Sequence, residues 1–170
     1  MQGGPALEAL KGFRSFVERV IRWSATIGMV ILVPLMLITT GDVLGRSFLH
    51  KPIAGTFELS EYMLAVLILL GAAYTQQIKG HVTVAFLTSK FSRNAQLVCR
   101  VLTLGLSLLI VGILVWQGFK LGIEETGATD QLRIPRAPFK MLVGIGAGLL
   151  WLQLLFDLAD AVGALVRRPT

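Results

Sequence analysis

The sequence predicts an all-α integral membrane protein: four transmembrane helices, preceded by an N-terminal amphipathic helix in the membrane interface, with both termini cytoplasmic. Three observations carry this. Of the 170 residues, 54% are hydrophobic and only 15% charged, against roughly 25% charged in soluble domains. The charges gather at the margins of long apolar runs, and Trp23 to Gly41 has none at all. At about 1.5 Å per residue such a run covers most of a ~30 Å hydrocarbon core. Lys and Arg are also unequally shared between the connections, which sets an orientation.

Taken in order, residues 1–22 form a cytoplasmic amphipathic segment. Ala6, Leu10, Phe13, Val17, Val20 and Ile21 recur at helical spacing, with Lys11, Arg14, Glu18 and Arg22 largely on another face. That pattern suits a helix lying among lipid headgroups, and Pro5 fits its first turn. The four-helix transmembrane domain covers 23–166, with spans at about 23–40, 59–76, 101–119 and 141–158. Pro34 interrupts the first span and is expected to kink it. The first run is too long and too late for a signal peptide, and no small-x-small site follows it before Asp42, so it is expected to stay in the mature protein. Residues 167–170 form a short cytoplasmic tail.

The N-terminal segment, the connection between spans two and three, and the tail together hold ten of the sixteen Lys and Arg residues. The other two connections hold six, placing those connections outside. The +6 net charge thus has a membrane explanation and does not require nucleic acid.

Several chemistries are excluded. Cys99 is the sole cysteine, so no intramolecular disulfide forms, and it reads as a small packing residue. His50 and His81 follow successive spans and fall on opposite membrane faces, so they share no haem or zinc. No serine has a nucleophile elbow or a His/Asp set, and no phosphate-binding glycine loop occurs. The chain is not read as an enzyme, and no cofactor is expected. Gly144, Gly146 and Gly148 lie within the fourth span and are expected to allow close helix contact.

Ionisable residues sit at the rims of the spans, not in mid-bilayer where coupled transporters place them. The expected arrangement is two layers of ion pairs within the chain or between subunits. One joins Arg46 to Glu58 or Glu61, the other joins Asp157 to Arg100 or Arg22. Spans this poor in polar groups argue against a self-contained four-span homo-oligomeric transporter. Spans without histidine argue against a haem-binding anchor subunit.

One stretch is more specific. Arg46, the Lys51-Pro52-Ile53-Ala54-Gly55 turn, Glu58-Leu59-Ser60-Glu61-Tyr62, Leu70-Gly71-Ala72-Ala73-Tyr74 and Gly80-His81-Val82-Thr83-Val84 follow one another. Ile134-Pro135 precedes the fourth span. This order resembles the small membrane subunit of tripartite ATP-independent periplasmic (TRAP) transporters, the DctQ-type family, with His81 as a family-motif residue. Ala85 departs from it, where the family often has an acidic residue. The resemblance implies a bacterial inner-membrane scaffold subunit. Its implied partners are a large elevator-type membrane subunit, which carries the sodium and organic-acid sites, and a periplasmic substrate-binding protein. Topology and mixed charge make Lys51, Glu124, Glu125, Arg133 and Arg136 the candidate contacts for that binding protein.

Overall fold

A computed structural model of the chain describes residues 5–80 and 93–166. Four helices account for nearly all of them: α1 (Pro5–Leu49), α2 (Thr56–Gln77), α3 (Arg93–Glu124) and α4 (Ala137–Val166). Each is long and apolar enough to cross a membrane. All four extend beyond the apolar runs that predict them. Composition marks where hydrocarbon ends, whereas a helix continues until its hydrogen-bond ladder is broken.

The breakers are local. His50 takes a left-handed φ of 51° and ends α1 before Pro52. At the end of α2, Gly80 N–H donates to the Thr75 carbonyl (2.8 Å) and Lys79 N–H to that of Gln76 (3.0 Å). These two bonds make a Schellman ending, with Lys79 rather than glycine in the left-handed position, φ 55°. Pro138 lies in the first turn of α4, where its missing N–H is harmless.

The amphipathic segment is not the separate interfacial helix that the sequence predicts. It runs unbroken through Arg22 into the first span, as one 45-residue helix. The reason is tertiary: Val17 and Ile21, on its apolar stripe, are buried in a cluster with Ala73 of α2. Phe13 meets Phe156 of α4 edge to face, with centroids 6.2 Å apart. The Val17 and Ile21 part of the stripe is thus covered by protein, and nothing at Arg22 interrupts the ladder. Pro34 is accommodated within α1.

Helix α4 is the centre of the bundle. It packs on α3 along one flank and on α2 along the other, with α1 against α2 and touching α4. Its buried residues are mostly small or polar: Gly144, Gly146, Ala147, Gln153, Leu154, Asp157 and Ala161. Two of the three expected glycine contacts occur. A Cβ on Gly118 of α3 would lie 2.8 Å from the Gly144 Cα, and one on Gly146 would lie 3.0 Å from the Leu69 Cβ, whereas Gly148 faces open space. Small residues let helices approach in a solvent that gives no hydrophobic drive to pack.

Most large apolar side chains point outward, among them Val30, Val33 and Leu37 of α1 and Leu102, Leu106, Ile110 and Ile113 of α3. In lipid that exposure costs little. Cys99 also faces outward and is not the buried packing residue its type suggests. The one cysteine sits on the outer face of the helix least covered by the bundle.

Candidate functional site

Polar side chains tie the helices at both ends of the bundle. One end carries the connections 50–55 and 125–136, and the other the start of α1 at Pro5 and the end of α4 at Val166.

At the loop end, residues 125–136 fold onto the start of α2. Thr129 N–H donates to the Ile134 carbonyl (2.9 Å) and Arg136 N–H to that of Gly127 (3.1 Å), closing a tight loop. The Glu58 carboxylate then accepts the Gln131 N–H (2.9 Å) and the Leu132 N–H (3.2 Å). In return Gln131 Oε1 accepts the Gly55 N–H at 2.6 Å. Leu132 lies directly on Gly55, where a Cβ would be 2.3 Å from Leu132 Cγ, and φ is +82°. Only glycine satisfies both conditions. Tyr62 of α2 stacks on Phe139 of α4, with centroids 5.0 Å apart. The two connections thereby form one continuous cap.

Loss of the Glu58 acceptor should open that cap. In Glu58→Ala, amide exchange across 125–136 should quicken about tenfold, the scale of one charge-assisted hydrogen bond. Exposed Phe57→Ala should leave it unchanged. Hydrogen-exchange mass spectrometry reads both variants.

Arg46 pairs with Asp42 on its own helix at 2.5 Å, and the Asp42 side chain is almost fully buried. Asp42 Oδ1 also accepts the Ile53 N–H at 2.7 Å, anchoring the first connection. Among the described residues Arg46 therefore makes no ion pair with Glu58 or Glu61. Because α1 continues to Leu49, Asp42 stands one turn from Arg46, the spacing at which such pairs meet. Glu61 is exposed.

In the cap, Glu125 pairs with Lys140, and Arg136 with Asp130 at 2.9 Å. Lys51, Glu124 and Arg133 are exposed. The Lys140 ammonium, hydrogen-bonded to Glu125, holds that carboxyl below the usual carboxylate range, against a smaller opposing effect of desolvation. A depressed carboxylate stabilises the fold above its unfolded pKa and ceases to do so as pH falls through the folded value. The cap's resistance to proteolysis should therefore be level from neutral pH down to the ordinary glutamate range and decline below it. Glu125→Gln should weaken that dependence, leaving the share carried by the other cap carboxylates, Glu58 and Asp130.

At the opposite end, Asp157 of α4 is 3% exposed and accepts a hydrogen bond from Gln76 Nε2 of α2 at 2.7 Å. Neither Arg100 nor Arg22 pairs with it. Arg100 is exposed on α3, and the neutral Gln76 amide already occupies the carboxylate. The ion pair found here is Arg14 with Asp160 at 2.9 Å, with Arg14 also holding Glu18 and lying 5.7 Å over the Phe156 ring. Gln77 Nε2 donates to the Glu18 carbonyl. Three helices are fastened in this way. Arg14, Gln76, Gln77 and Asp160 are outside the ion pairs that the sequence predicts; two glutamines closing one apolar span opposite Asp157 and Asp160 at the end of another are the available signal. His81, the family-motif residue, and the tail 167–170 lie outside the described residues.

Between these layers polar side chains are few among the described residues. Thr26, Thr39, Thr75 and Thr103 return their hydroxyls to carbonyls of their own helices, and Trp151 Nε1–H bonds the Leu108 carbonyl across α3 and α4 at 3.1 Å. Among the described residues no group of three or more His, Cys, Asp or Glu could hold a metal ion.

A search of curated proteins finds no match. A family model, described as "Tripartite ATP-independent periplasmic transporters, DctQ component", matches residues 35–163. That range takes in both connections of the cap, Gln76 and Asp157, the whole of α2 and α3, and all but the last turn of α4. A multi-pass bundle fastened at its rims accords with a component of a tripartite transporter. The chain belongs to the DctQ family, the small membrane subunits of tripartite ATP-independent periplasmic transporters.

Proposed function

We propose that this chain is the scaffold subunit of a sodium-coupled TRAP secondary transporter of the bacterial inner membrane. It braces a large elevator-type subunit, which carries an organic acid delivered by a periplasmic binding protein. The distribution of polar groups carries the reading: they fasten helices at the rims and line no path through the middle. An elevator needs one part that stays fixed in the bilayer, and a rim-fastened bundle with wide apolar flanks suits that part. The Lys and Arg count supports cytoplasmic termini and a periplasmic cap.

On this reading the exposed charges of the cap, Lys51, Glu124 and Arg133, with Glu125 and Arg136 beside them, meet the binding protein. Glu61 and Arg100, exposed and without an ion pair among the described residues, serve as intersubunit partners at the membrane edge. Sodium belongs to the large subunit.

The test is co-purification with the large subunit, then uptake in liposomes with and without this chain. Sodium-dependent uptake should require both membrane subunits. Full uptake by the large subunit alone, or uptake by this chain alone, would refute the scaffold role. The Glu124→Lys, Arg133→Glu double variant should lower binding-protein affinity about tenfold, within the range of interfacial charge changes. Unchanged affinity would remove the cap from the docking surface.

A further inference from the structure

Two hollows share one edge of α1. Near the terminal end lies an open pocket of about 530 Å³, lined among the described residues by Ser15, Glu18, Arg19, Arg22, Trp23 and Thr26. Adjoining it is an apolar groove of about 300 Å³ between α1 and α2, walled by Ala25, Gly28, Met29 and Leu32 and by Leu67, Leu70, Gly71 and Tyr74. Arg22 and Met29 are two helical turns apart, so the pocket stands directly above the groove.

The chemistry of the two parts is complementary. Arg19 and Arg22 are exposed and have no ion pair among the described residues, whereas the one carboxylate of the pocket, Glu18, is held by Arg14. Two guanidiniums without an ion pair among the described residues, both lining the pocket at the start of an uncharged run, suit a phosphate. Trp23, 66% exposed, takes the place that aromatic side chains favour at the headgroup level. Below it the groove is open at Gly71, where a Cβ would meet nothing within 4 Å. Its floor is the close approach of Gly28 to Leu67, 3.1 Å from a Cβ position to Leu67 Cδ2. From Arg22 to Leu32 the helix rises about 15 Å, half of a ~30 Å hydrocarbon core. That is the depth of one leaflet.

We propose that this edge is a binding site for one anionic glycerophospholipid, its phosphate on Arg19 and Arg22 and an acyl chain in the α1–α2 groove. The lipid would complete the seam where α1 and α2 part.

The test uses the full chain in nanodiscs, with Trp116→Phe and Trp151→Phe leaving Trp23 as the only tryptophan. Brominated phosphatidylglycerol should quench Trp23 at a mole fraction about thirtyfold lower than brominated phosphatidylcholine, the scale of two basic residues at an anionic surface. Arg19→Gln with Arg22→Gln should abolish the preference. Gly71→Leu, which fills the groove, should weaken quenching by both lipids, with unchanged helicity and elution showing that the variants fold. Inorganic phosphate should not displace the lipid. Equal quenching by both lipids, a preference surviving loss of both arginines, or displacement by phosphate would overturn the proposal. So would shielding of Trp23 that arises only when the large subunit is added, since the occupant would then be protein.

Discussion

Gly118→Ala should destabilise the bundle, whereas Gly105→Ala on the same helix should leave it unchanged or slightly stabilise it. Both substitutions gain about 1 kcal/mol of helix propensity. Only at Gly118 does the new Cβ meet backbone, 2.8 Å from the Gly144 Cα and 3.0 Å from its nitrogen. Backbone cannot swing aside as a side-chain tip can, so α3 must move off α4, and overpacking of this kind costs about 1–3 kcal/mol. At Gly105 the added methyl meets nothing within 4 Å. The two variants should therefore move in opposite directions in an equilibrium unfolding titration in mixed micelles. Equal effects would mean that the α3–α4 crossing is not set by these glycines. Leucine at Gly118 should be worse still, because a longer side chain can find no rotamer in a backbone contact.

Gln76→Leu should cost more than the loss of an ordinary interhelical hydrogen bond. Asp157 is buried, and the Gln76 amide is its partner across helices. Without that amide a carboxylate is left in an apolar setting with no donor from α2. A hydrogen bond to a charged group contributes about 1.5–3 kcal/mol, and an orphaned buried group adds its desolvation cost. Adding Asp157→Leu should recover much of the loss, because removing both polar partners together can be nearly neutral. The double variant thus should be more stable than Gln76→Leu alone in the same titration. A double variant that is as unstable as the single, or more so, would assign the effect to packing instead of to the orphaned carboxylate.

Much of this protein was legible in its residues. The four spans follow from charge-free runs, and the family from Arg46, the Pro/Gly turn, Glu58 to Tyr62 and the Gly80-His81-Val82 segment. The glycines of the fourth span mark contact points, and two of the three make them. The pairing of charges was less legible. The sequence pairs Arg46 with Glu58 or Glu61 because all three lie at one rim. Its partner is Asp42 because the helix outlasts its apolar run, and Glu58 is taken by backbone amides of a loop more than seventy residues away. The sequence suggests a cation beside Asp157, and its partner is an amide.

The sequence by itself determined that the chain lives in a bilayer, how many times it crosses and which residues are kept to the rims. Those outcomes depend on transfer of side chains between water and hydrocarbon, which is nearly a property of each residue and its neighbours in sequence. Only the tertiary structure decided that α4 is the centre, that the N-terminal stripe packs on Ala73 and Phe156 and does not lie alone on the membrane, and that the two connections at one end join as a single cap. Those outcomes depend on which helix faces which. Lipid is as apolar as the side chains it meets, so composition does not choose among apolar faces. The choice falls to a few close backbone approaches and directional hydrogen bonds, made between residues far apart in the chain.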